Sequence, residues 1–184
     1  MISTVSQTSV SEPHPFSSMD LEPWYAIRTK SRHEKIVSKQ LEMDGLEFYL
    51  PTIQQSRQWS DRTKLIDLPL FPGYVFVRPQ HFSSQKVQIL RKAGVIGFVG
   101  NGRGAAAIPD NELNAVRLLL RNRIPYASHP YLKIGQRIRV SDGALRGVEG
   151  ILVRLGSNNG LVLSIDSIQR SLVIQLQGYA VEVI

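Results

Sequence analysis

The rhythm of apolar residues changes once along this chain, close to residue 130, and that change limits what the chain can fold into. Up to residue 123, stretches with the spacing of amphipathic helices alternate with stretches of strand-forming residues. From residue 131, apolar runs at 136–140, 148–154, 161–166, 171–176 and 179–183 follow one another, each broken by a turn. Asp142-Gly143 and Asn159-Gly160 carry the strongest turn chemistry, since both pairs tolerate positive φ. Five short strands in residues 131–184 predict a small SH3-like β-barrel. Residues 124–130, Ile-Pro-Tyr-Ala-Ser-His-Pro, hold two prolines and no periodicity, and read as a linker. A length of 184 residues allows two domains with modest cores.

Residues 22–123 read as the first domain. Trp24–Lys30 alternates and is rich in strand formers. Ser31 and Glu34 stand at capping-box spacing ahead of a helix carrying Ile36, Val37 and Leu41, which Gly45 ends. Leu46–Leu50 is a strand stopped by Pro51. The polar stretch 54–64, with Ser60-Asp61 as its turn, reads as a projecting hairpin. Strands are predicted at Leu65–Leu70, Tyr74–Arg78 and Gly94–Val99, and a short helix at 83–92 capped by Ser83 or Ser84. Asp110 is expected to cap a last helix that presents Leu113, Val116 and Leu120 on one face. The order β-α-β-β-β-α-β-α, with helices and strands in separate layers, predicts an α+β sandwich on a mainly antiparallel sheet. Residues 1–21, rich in Ser and Thr and without Lys or Arg, are expected to be a disordered tail.

Composition narrows the chemistry. Cysteine is absent, which removes thiol catalysis and thiolate metal sites and fits a reducing cytoplasm. No apolar run is long enough to cross a membrane as a helix. The four histidines, 14, 33, 81 and 129, are scattered, and no metal-binding, nucleophile-elbow or phosphate-loop pattern occurs. Gly100-Asn101-Gly102-Arg103-Gly104 lacks the Gly-Lys-Ser/Thr ending of a phosphate loop, so a surface loop is the better reading. An enzyme, a cofactor and a bound metal are therefore not expected. The net charge of +7 favours a polyanionic neighbour, and most of it lies before residue 131. Arg28, Lys30, Arg32, Lys35, Lys39 and Gln40, from a strand end onto the first helix, are the nucleic-acid candidates. By composition alone they read as a solvated helix face.

Leu70-Phe71-Pro72-Gly73-Tyr74-Val75-Phe76-Val77 is the most distinctive stretch. Proline and glycine make a sharp entry into a strand, on which Tyr74 and Phe76 share one face. With helices on the other face, these rings would form an aromatic platform, although for a generic sheet they would be core.

These residues carry a family resemblance. Trp24-Tyr25, His33-Glu34, Leu50-Pro51, Pro69–Val77, Gly94–Gly100 and Ile108-Pro109-Asp110 together resemble the N-terminal domain of NusG-family transcription factors. Residues 133–152 resemble the KOW motif that follows it. The resemblance implies an RNA-polymerase-binding elongation factor that suppresses pausing and termination. It implies that Trp24, Tyr25, Phe71, Pro72, Gly73, Tyr74 and Phe76 face the clamp helices of the largest polymerase subunit, with Gln85 and Lys86 towards the opposite jaw. Replacing Tyr74 and Phe76 by alanine is then expected to abolish binding and leave the fold intact. The KOW domain, through Leu145, Val148 and Ile165, would recruit a second partner such as ribosomal protein S10. Non-template DNA or nascent RNA is the nucleic-acid partner implied. Asp142-Gly143-Ala144-Leu145 departs from the Asp-Gly-Pro-Phe of the general factor, which speaks against Rho and resembles the operon-specific RfaH- and UpxY-like antiterminators. Some of these hide the clamp site under a C-terminal domain refolded as helices; the strand alternation of 161–176 predicts the barrel form here. The general factor and a KOW-based RNA- or ribosome-binding protein are the alternatives.

Overall fold

The computed structural model describes residues 22–58, 63–101 and 104–184. The expected tail at 1–21 and the expected turn at Ser60-Asp61 lie outside these residues. The first domain is built from β1 (Trp24–Thr29), α1 (Glu34–Met43), β2 (Glu47–Tyr49), β3 (Thr52–Gln58), β4 (Thr63–Pro69), β5 (Tyr74–Arg78), α2 (Phe82–Leu90), β6 (Val95–Phe98), β7 (Gly100–Asn101), β8 (Gly104–Ala105), β9 (Ala107–Ile108) and α3 (Asp110–Arg121). The second contains β10 (Tyr126–His129), β11 (Arg137–Val140), β12 (Glu149–Leu155), β13 (Asn158–Ile165), β14 (Arg170–Gln175) and β15 (Val181–Val183). The architecture is α+β, with antiparallel pairing throughout. Among the described residues, no helix is long and apolar enough to cross a membrane.

The first sheet runs β2-β5-β1-β6, with β9 also paired to β1. Alternation on β1 and β5 sends side chains to both faces. Tyr25, Ile27, Val75 and Val77 pack beneath α1 and α2 with Val37, Leu41 and Ile89. Trp24, Ala26 and Phe76 face the other way, against Phe71 and the α3 residues Leu113 and Val116. The polar hairpin extends further than expected: β3 and β4 pair from Thr52↔Pro69 to Gln58↔Thr63.

The second sheet runs β10-β14-β13-β12-β11-β15, the five expected strands plus one. Its central strand β13 is buried on both faces. Leu161 and Leu163 join Ile138, Val140, Leu145, Val148 and Ile174 in a core, and α3 completes that core with Ala115 and Leu119. α3 thus has two apolar stripes, one for each sheet.

Several local expectations are corrected. The first helix starts at Glu34, because Arg32 takes a left-handed φ of 62° and breaks the capping box; the cap position is His33. Likewise α2 has His81 at its cap rather than Ser83 or Ser84, and α3 has Pro109 there, with Asp110 as its first residue. The linker reading of 124–130 fails at its centre. Tyr126–His129 pairs with Ser171–Ile174, the two prolines flanking the strand without interrupting it. Asn159-Gly160 lies within β13, opposite Arg154 and Val153, and the chain reverses at Gly156, where φ is 62°.

Candidate functional site

The aromatic face begins with the turn that feeds β5. Gly73 has a φ of 85°, which only glycine adopts without strain. Its N–H donates to Oε1 of the buried Glu34 at 2.6 Å, while its carbonyl accepts the Thr29 N–H at 2.8 Å. α1 therefore holds the turn from one side and β1 from the other. Tyr74 then opens β5 half-buried, and Phe76, one pleat on, is fully buried. Phe71 meets Phe76 edge-on at 6.1 Å, and Tyr49 stacks on Phe76 at 6.3 Å. The Arg117 guanidinium lies 4.8 Å from the Trp24 ring and 4.7 Å from the Tyr49 ring. Arg78, held by both Asp110 oxygens at 2.5 Å, approaches Trp24 at 5.1 Å. Burial pushes the Tyr49 hydroxyl up to about 12, against the opposing pull of Arg117. The Tyr49 ring therefore stays neutral at any ordinary pH, and the two guanidiniums edge the face with positive charge.

The second domain covers this face. Ile165, Ile168 and Leu172 pack into the same apolar cluster as Trp24, Phe71 and Phe76, and Phe76 is left with 0% exposure. Polar contacts cross the seam beside it: the Asp166 N–H donates to Glu112 Oε2 at 3.1 Å, and Asn122 Nδ2 donates to the Ala144 carbonyl at 3.2 Å. Leu145 and Val148 sit against Ala115 and Leu119 of α3. The residues expected to recruit a second partner, Leu145, Val148 and Ile165, are thus buried against the chain's own first domain.

The remaining expected residues are divided. Tyr25 belongs to the opposite side of the sheet from Trp24: its ring lies 4.4 Å from Phe82 and 6.1 Å from Phe98, beneath α2. Pro72 is exposed at the turn. Gln85 and Lys86 lie in the first half of α2. Gln85 Oε1 accepts the Gln80 and His81 N–H groups, and Lys86 lies over the Phe82 ring. Arg28, Lys30, Arg32, Lys35 and Lys39 are all exposed. Arg28 pairs with Tyr74 across β1 and β5 and so shares the aromatic face. Lys35 and Lys39 belong to α1, on the other side, and Lys30 and Arg32 bridge the two around one end of the sheet. Gln40 is committed to the fold, its amide accepting from the Ala93 N–H and donating to the Ala93 carbonyl at 3.0 Å each. Asp44 is held by Lys92 and Gln88, and these partners keep its carboxyl below its ordinary range.

The expectation that alanine at both Tyr74 and Phe76 would spare the fold is overturned by burial. Removing a fully buried phenylalanine costs about 3–5 kcal/mol, so only Tyr74 reports on binding without threatening the core.

The family model described as transcription termination factor NusG matches residues 22–117, more than half of the chain. The chain belongs to the NusG family. Among relatives of this NusG-family protein, the transcription termination/antitermination protein NusG of Lactococcus lactis is 24% identical over 171 residues, covering 86% of this chain and 91% of that one. That of Streptococcus pyogenes is 27% identical over 147 residues, covering 73% and 82%. The solved structure "Domain interaction in Thermotoga maritima NusG" is 21% identical and covers 87% of this chain and 96% of that one, with a TM-score of 0.48. The protein is a NusG-family transcription termination/antitermination factor.

Tyr49, Arg78 and Arg117 were not singled out from the sequence, yet they complete the face. Tyr49 could have been found by pairing the strand Leu46–Leu50 with β5, which places it opposite Phe76. Nothing in the sequence marks Arg117, whose role depends on where α3 lands.

Proposed function

We propose that this protein binds the clamp helices of RNA polymerase through the face formed by Trp24, Tyr49, Phe71, Tyr74 and Phe76, and acts as an operon-specific antiterminator. The observation behind this reading is that the face is apolar and aromatic, edged by Arg78 and Arg117, and covered partly by α3 and partly by the second domain. Such a face is a natural docking site once the cover is withdrawn, since buried aromatic and arginine anchors dominate interface energies. Its action would be mechanical, holding the polymerase clamp closed without a covalent step. Arg28, Lys30, Arg32, Lys35 and Lys39 would guide the non-template strand or the nascent RNA by phosphate contact. Gln40, with its amide already paired, is left out of base reading. The second domain would present Leu145, Val148 and Ile165 to ribosomal protein S10 after release from the seam. The Ala144-Leu145 departure supports the specialised role over the general one.

The test is retention of the full-length protein on immobilised core RNA polymerase. Tyr74→Ala is expected to lower retention at least tenfold while circular dichroism and thermal midpoint stay near the unsubstituted protein. Unchanged retention would remove Tyr74, and with it the face, from the polymerase site.

A further inference from the structure

Glu112 occupies a place that the termination/antitermination role does not explain. It lies on α3 one turn before Ala115 and in line with Leu119, so it sits on the stripe that packs against the second domain. Its Oε2 accepts the Asp166 N–H at 3.1 Å, one residue after Ile165, which presses on the Trp24–Phe76 cluster. Beside it a cleft of about 410 Å³ opens between α3 and the second sheet.

The charges around Glu112 make this contact an unequal one. From the second domain it faces the Asp166 carboxylate and the Tyr131 hydroxyl, whose pKa burial and both carboxylates push up. Lys133, Arg137, Arg146 and Glu149 line the same cleft, and Arg137 is engaged with Glu149 at 3.2 Å. Among the described residues no lysine or arginine forms an ion pair with Glu112. An ionised Glu112 in the closed seam is thus desolvated opposite another carboxylate, with a single backbone N–H in compensation. Protonation removes the repulsion and leaves an oxygen to accept that N–H.

We propose that Glu112 is a proton-operated latch on the seam between the two domains, closing the second domain over the aromatic face when protonated and loosening it when ionised. Burial, the largest influence, raises the Glu112 carboxyl from its ordinary 4.5 to about 7; the Asp166 N–H pulls it down and the Asp166 carboxylate pushes it up. In the open form Glu112 meets water and returns to the ordinary range. The closed form therefore holds the proton more tightly. Its advantage is complete below the ordinary value of 4.5 and is lost as pH rises through about 7. The consequence for polymerase rests on the proposed function above; the latch itself concerns only the two domains.

The test leaves polymerase out, so its failure and the failure of the polymerase site are separate results. The chain has no cysteine. Cysteines introduced at the exposed Glu42 and Gln177 of the full-length protein can carry a dye pair that reads domain separation between pH 6 and 8. For one proton with these two affinities, the ratio of open to closed molecules should rise about tenfold over that range. Glu112→Gln keeps the acceptor and removes the charge, and is expected to hold one ratio throughout. Asp166→Asn should move the midpoint to lower pH. If either state is too scarce to measure, the same comparison in an Ile168→Ala background weakens the seam and brings both into range. A wild-type ratio that ignores pH, or a Glu112→Gln protein that follows pH as the wild type does, would overturn the latch.

Discussion

Glu34 shows how a single side chain can set the geometry of a surface it does not reach. Its carboxylate is buried in the first turn of α1 and ends on the Gly73 N–H, so it holds the turn that places Tyr74 and Phe76. Glu34→Ala would strip the acceptor from a backbone donor inside the protein, at a cost of about 1–3 kcal/mol. Glu34→Gln retains an oxygen at the same reach and should cost clearly less. Urea denaturation of the two variants checks this; equal losses would mean that the acceptor is not what matters. At Gly73 the backbone rather than the side chain decides. With φ at 85° and no atom near a Cβ, Gly73→Ala meets open space but a left-handed backbone. It should lose about 1 kcal/mol or more, through strain alone, measurable as a lowered thermal midpoint.

At the scale of elements, close approach distinguishes glycines that resemble one another in the sequence. A Cβ on Gly150 of β12 would fall 2.4 Å from the Val162 carbonyl oxygen, whereas Gly97 of β6 has nothing within 4 Å. Gly150→Ala should therefore destabilise the protein by about 1–3 kcal/mol through overpacking. Gly97→Ala should stay near neutral, and calorimetry of the pair separates them. What was legible in the sequence follows the same logic of local against distant cause. Tyr74–Arg78 was readable to the residue because alternation and the Phe71-Pro72-Gly73 entry are both local. The strand at Tyr126–His129 was hidden because flanking prolines and a polar middle resemble a linker, and only pairing with β14 makes it a strand. The second stripe of α3 was missed because Leu113 and Val116 already supplied a sufficient apolar face. Ala115, Leu118 and Leu119 then looked like ordinary helix formers. Trp24, Tyr74 and Phe76 could be placed on one face by counting pleats, but Arg117 reached Tyr49 only through the packing of α3.

For the whole molecule, the decisive feature is that two surfaces expected to meet different partners meet each other. Ile165, Ile168 and Leu172 cover the aromatic face of the first domain, and the sheet that carries them takes its own cover from α3. If polymerase needs that face, docking must first separate the domains, and its apparent affinity falls by the fraction of molecules that are open. Ile168 is the lever, since it is buried in the cluster yet stands on a short turn after β13, away from the centre of the second sheet. Ile168→Glu would place a carboxylate among Trp24, Phe71 and Phe76. An uncompensated buried charge costs several kcal/mol, but opening the seam lets it reach water while the two domains stay folded. Every 1.4 kcal/mol by which closure is weakened multiplies the open fraction about tenfold while the closed form dominates. The full-length Ile168→Glu protein should therefore bind core polymerase at least tenfold more tightly than the wild type, and Tyr74→Ala should erase that gain. Equal affinity of Ile168→Glu and wild type, with the domains shown to be apart, would mean that the second domain does not mask the binding face.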